Sequence, residues 1–101
     1  MAHEKILVEK ARARLHQLGW TTLKYHGGSY SVLAHADLYG YLPDGHVFFA
    51  EVKTPNNRIT EAQLAFLNYH KERGAITFWF DSMPMLEEEL VTVNELHKIS
   101  L

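Results

Sequence analysis

Residues 75–80, Ala-Ile-Thr-Phe-Trp-Phe, are apolar at every position but Thr77. A continuous run of this kind marks a strand covered on both faces, so the sheet that holds it must be flanked by helices. The rest of the chain supplies them. Residues 3–18 repeat apolar side chains at helical spacing (Ile6, Leu7, Ala11, Leu15, Leu18) before Gly19 stops the pattern. Residues 61–73 do the same with Leu64, Phe66, Leu67 and Tyr69, ending at Gly74. Residues 20–25, 30–34 and 37–42 read as extended, and Pro43-Asp44-Gly45 is a turn. The aromatic and β-branched segment 46–53 that follows is a strand. Beyond Asp81, Pro84 opens an acidic stretch, and residues 91–99 are expected to form a short strand and a last helical turn. The Met83-Pro84-Met85-Leu86 stretch, with Trp79 and Phe80, belongs to a core or a subunit contact. The expected class is α/β, a mixed sheet flanked by helices in the order α-β-β-β-α-β.

With 101 residues, 47% of them hydrophobic, residues 1–101 suit one domain with a single core. The absence of cysteine removes disulfides, thiolate metal sites and cysteine nucleophiles together, and fits a cytoplasmic setting. No apolar run reaches the ~20 residues that cross a bilayer, and Glu4, Lys5, Glu9 and Lys10 interrupt any apolar leader core. The net charge of −2 is unevenly spread: +3 over residues 1–36, −1 over 37–80 and −4 over 81–101. The front is therefore mildly basic, and a nucleic-acid partner would need divalent cations to offset the central carboxylates.

Within segment 46–53, Glu51 and Lys53 are two residues apart and project to the same side. They share that side with Val47 and Phe49. Two charges at the end of an apolar strand describe either a solvated strand end or a site. Asp37 bears on the choice. If Pro43-Asp44-Gly45 is a three-residue hairpin loop, Leu42 pairs with His46 and Asp37 falls opposite Glu51. A two-residue loop would shift this register by one. Two carboxylates that close repel unless a cation lies between them, and hard oxygen ligands favour Mg²⁺ or Mn²⁺. The seven histidines contain no pair at helical metal-ligand spacing, which argues against a histidine zinc site. His35 lies near Asp37 in sequence.

Asp37, thirteen residues, then Glu51-x-Lys53 resembles the active-site signature of the PD-(D/E)XK nucleases. The longer string EVKTPNNRITEAQLAFL (51–67), with Gly74 and a buried strand after it, resembles the virus-type replication-repair nuclease domain, VRR-NUC. The resemblance covers about residues 3–80. It implies a restriction-endonuclease-like core and a metal-dependent endodeoxyribonuclease using Mg²⁺ or Mn²⁺. Stand-alone members resemble dimeric junction-resolving enzymes, so the implied partner is four-way (Holliday) or other branched DNA, cut by a homodimer in a bacterial cell or phage-infected host. A monomeric flap or nicking nuclease, and a catalytically inert DNA-binding module on the same fold, are the alternatives.

Carried over by position, the resemblance implies that Asp37 and Glu51 bind the metal with the Val52 carbonyl, while Lys53 orients water and stabilises the phosphate. An ammonium beside two carboxylates suits electrostatic stabilisation better than general-base work. Gln63 is the family's helix glutamine, yet Thr60-x-x-Gln63 is equally a capping box. The family's first-helix carboxylate is Glu4 or Glu9; Glu4 lies fifteen residues before Gly19, on the Leu7–Ala11–Leu18 side. Arg58, Lys24 and Ser29 are the expected DNA contacts, with His26 near them and Gly27-Gly28 as a turn. The family's proline before the aspartate is Ala36 here, which relaxes the backbone without removing the ligand.

Overall fold

A computed structural model describes residues 2–23 and 36–97. Helix α1 spans Ala2–Gln17, followed by β1 (Thr21–Thr22), β2 (Leu38–Tyr41), β3 (Val47–Val52), α2 (Glu61–Glu72), β4 (Ile76–Phe80) and α3 (Met83–His97). The strands form one sheet in the order β1-β2-β3-β4. The first three run antiparallel to their neighbours, and β4 joins β3 in parallel through the α2 crossover. The mixed sheet flanked by helices is the architecture expected from the sequence. Expectations at 24–35 (part of the first strand, the 30–34 extension, Lys24, His26, Gly27-Gly28, Ser29 and His35) lie outside the described residues.

Helix α1 ends as Gly19 predicts. The Trp20 amide donates to the Leu15 carbonyl and the Gly19 amide to that of His16, both at 3.0 Å. That stop returns Trp20 to the core, where its ring meets Phe48 edge-on at a centroid distance of 4.9 Å. One sheet face presents Phe48, Ala50 and Val52 from β3 and Ile76, Phe78 and Phe80 from β4 to Ala11 and Leu15 of α1 and Leu86, Leu90 and Val93 of α3. On the other face Phe49 packs against Phe66 and His70 of α2, with centroids 5.4 and 4.5 Å apart. The run at 75–80 is thus covered from both sides, with its odd positions half-buried. Ile6, in the apolar repeat of α1, is an exception and is 53% exposed.

The strand expected near residues 91–93 is instead part of a continuous helix. Val91, Thr92 and Val93 favour a strand locally, but Leu86, Leu90 and Val93 recur at i, i+4 and i+7 and are all buried. Burying each such side chain contributes about 1.5–3 kcal/mol, which outweighs propensity differences of about 1 kcal/mol or less. Ser82 caps the helix: its hydroxyl accepts the Met85 amide at 3.2 Å. Pro84 sits in the first turn, where its missing N–H costs nothing. Met83 and Met85 pack against the core. The acidic helix lies against the basic one, and Arg14 binds Glu87 through two nitrogens at 2.8 and 3.1 Å. The charge separation along the sequence is therefore partly cancelled in space.

Candidate active site

The hairpin loop settles the register on which Asp37 depends. The Leu42 amide donates to the His46 carbonyl at 2.8 Å and the Gly45 amide to the Leu42 carbonyl at 2.9 Å, closing three residues. Gly45 has φ 92°, a conformation glycine adopts without penalty. Pairing then runs from Tyr41↔Val47 to Leu38↔Ala50, and the next pair in that register sets Asp37 against Glu51. The Asp37 carboxylate reaches across the end of the ladder, its Oδ2 accepting the Val52 amide at 2.9 Å. Gly40 holds the neighbouring strand close: a Cβ there would lie 1.9 Å from the Thr21 carbonyl oxygen.

Glu51 is 3% exposed, whereas Asp37 is open to solvent. Burial first, then the Asp37 charge and a hydrogen bond with Asp37, push the Glu51 carboxyl up to about 8; the Lys53 cation opposes this and Glu4 adds to it. Burial and the Asp37 charge thus favour the protonated form of Glu51 by more than the Lys53 cation offsets. The donor set therefore fits a divalent cation, which would replace the proton. The Val52 side chain is buried in the core, so Val52 can meet the site only through its main chain.

Gln63 forms the capping box that its spacing from Thr60 suggested. Its Oε1 accepts the Thr60 amide at 3.0 Å, and the Thr60 hydroxyl accepts the Gln63 amide at 3.1 Å, completing the capping box. This fixes the side-chain orientation and aims Nε2 at Glu51, to which it donates at 3.3 Å. Glu4, half-buried on α1, acts on the Glu51 charge. Glu9 is exposed and lies 3.6 Å from Arg12. The structure thus brings Asp37, Glu51, Lys53, Gln63 and Glu4 together and leaves Glu9 outside.

A solved structure described as a VRR_NUC domain matches this chain with a TM-score of 0.71 and 29% sequence identity, over 87% of this chain and 94% of the other. The chain has a VRR_NUC fold. That fold is a nuclease fold of the PD-(D/E)XK type. No protein-family model and no curated protein matches the sequence.

In this VRR_NUC fold a cleft of about 520 Å³ opens beside Lys53, between α1 and the loop at 54–57. His3 and Lys10 line one wall and Asn56 and Asn57 the other. Sequence spacing did not single these residues out, because the wall forms only when α1 packs beside the end of β3. Only Lys10 carried a signal, as part of the basic front of the chain. Arg58 is exposed in the loop after this wall.

Proposed function

We propose that the chain is a metal-dependent endodeoxyribonuclease that cuts four-way or related branched DNA as a homodimer, with residues 1–101 forming one nuclease domain that works in the cytoplasm of a bacterial cell or phage-infected host. The observation that carries the nuclease reading is the buried Glu51 carboxyl set against Asp37 beside Lys53, an electrostatic arrangement that calls for a cation. Asp37, Glu51 and the Val52 carbonyl would hold Mg²⁺ or Mn²⁺. When bound, the ion supplies Lewis acidity toward a phosphoryl oxygen and lowers the pKa of water. Lys53 orients the attacking water and balances charge on the scissile phosphate. Gln63 holds Glu51 in place, and Glu4 completes the acidic side. Lys10, His3 and Arg58, with Lys24 and Ser29, offer backbone contacts to DNA.

The junction and dimer parts rest on the resemblance to stand-alone junction-resolving members, and two sites related by a two-fold axis suit a branched substrate. The test combines sedimentation at micromolar concentration with cleavage of labelled junction, flap and duplex DNA in Mg²⁺ or Mn²⁺. The expected result is a dimer that makes paired cuts in the junction. A monomer that cuts flaps or nicks duplex overturns the junction reading but leaves the nuclease. A folded protein that cuts none of them, or an Asp37→Ala variant as active as the parent, overturns the enzyme.

The double role of Gln63 makes a separate prediction. Thr60→Ala removes the cap alone, at about 1 kcal/mol, and should leave the cleavage rate within a few-fold. Gln63→Ala removes the cap and the donor to Glu51, and its rate should fall at least about tenfold. Equal rates for the two variants would reduce Gln63 to a capping residue.

A further inference from the structure

At the end of β3 remote from Glu51, roughly 16 Å along the strand at ~3.3 Å per residue, three other ligating side chains meet. Asp44 lies in the hairpin loop, His46 just before β3, and His97 ends α3. Asp44 Oδ1 accepts the His46 backbone N–H at 3.0 Å, which fixes the carboxylate. Its Oδ2 then faces both imidazoles, 2.9 Å from His46 Nδ1 and 3.6 Å from His97 Nδ1. The two rings meet at a centroid distance of 4.6 Å, and one ligand atom from each residue falls within 4.8 Å of the others.

We propose that Asp44, His46 and His97 form a second cation site, for a transition-metal ion of the Zn²⁺ class, separate from the carboxylate pair. Around a tetrahedral ion with bonds of about 2.0–2.1 Å, neighbouring donors stand about 3.3 Å apart. The separations of 2.9 and 3.6 Å from Oδ2 lie on either side of that value. Two imidazoles and one carboxylate select Zn²⁺, Co²⁺ or Ni²⁺ over Mg²⁺, which prefers oxygen and water. A simple Asp–His hydrogen bond in the turn needs only His46. The second imidazole comes from a distant helix and aims at the same oxygen. A bound ion would tie the end of α3 to the hairpin whose loop sets the Asp37 register.

The experiment is a Co²⁺ titration of the full chain, repeated in excess Mg²⁺ and on Glu51→Gln, which disables the other metal site. One equivalent of Co²⁺ with the visible spectrum of a tetrahedral ion, displaced by Zn²⁺ but not by Mg²⁺, is expected in both proteins. Asp44→Asn keeps the turn hydrogen bond through its amide oxygen. It and His97→Gln should each weaken Co²⁺ binding at least about tenfold. Zn²⁺ should raise the melting temperature of the parent and of Glu51→Gln alike. Absence of a tetrahedral spectrum, its loss in Glu51→Gln, or its survival in His97→Gln overturns the site, and leaves a hydrogen-bonded cluster only.

Discussion

Replacing Glu51 with glutamine is expected to abolish Mg²⁺- or Mn²⁺-dependent cleavage, by about 10³-fold or more, while making the metal-free protein more heat-stable. Both effects have one cause. The folded chain holds the Glu51 carboxyl near 8, far above its ordinary value of 4.5. Between those limits the folded state keeps a proton that the unfolded chain has released, so stability falls as pH rises from about 4.5 to about 8. The glutamine amide is neutral throughout. It can accept from Gln63 Nε2 as Glu51 does, and its own NH₂ can donate to Asp37 in place of the shared proton. In EDTA at pH 8 the variant should gain about 1 kcal/mol or more, a rise of about 4–8 °C for a domain this size. Near pH 4.5 the two proteins should melt together. Thermal scans at the two pH values, with cleavage assays alongside, check the pair of effects. A variant that is inactive and less stable at pH 8 would mean that Glu51 is an ordinary structural residue. Lys53→Met provides the complement: activity should fall similarly, but no pH-dependent gain in stability should accompany it.

How far the site could be read in advance depended on how locally each residue is placed. The shared side of Glu51 and Lys53 needed only the two-residue period of a strand. Their roles and that of Gln63 came from the resemblance, because the Thr60-x-x-Gln63 spacing of a helix start speaks only for the cap. Asp37 needed one further fact, the number of residues in the loop, and Gly45 decides that. Between Glu4 and Glu9, the spacing from Gly19 and the α1 face that carries Leu7 and Ala11 favoured Glu4 without deciding the choice. What escaped requires distant segments to meet. The strand propensity at 91–93 yields to a buried face that exists only against β4. The opposite charges of the two ends become the Arg14–Glu87 pair. His46 and His97 share no sequence period, so a search for helical pairs of histidines could not find them, although both Nδ1 atoms face one oxygen of Asp44. The Lys53 cleft is hidden for the same reason, since its walls come from α1 and the loop at 54–57.

The affinity of the Asp37–Glu51 site for Mg²⁺ or Mn²⁺ should rise steeply with pH and then level off near pH 8. A cation that binds there must displace the Glu51 proton, and below about 8 that displacement costs one factor of ten for each pH unit. From pH 6 to pH 8 the dissociation constant should therefore fall by up to about 100-fold, equivalent to about 2.7 kcal/mol. The sign follows from the direction of the shift: a carboxyl raised by burial and by Asp37 is protonated at the lower pH, and protonation opposes the metal. Titration calorimetry in two buffers of different ionisation enthalpy reads the same event directly, because close to one proton should be released per ion at pH 7 and almost none at pH 9. In Glu51→Gln both the pH dependence and the proton release should vanish along with tight binding. Affinity that is flat from pH 6 to 8 with no proton released would show that Glu51 is already ionised without metal. The electrostatic argument that places a cation between Asp37 and Glu51 would then fail, whatever the cleavage assay showed.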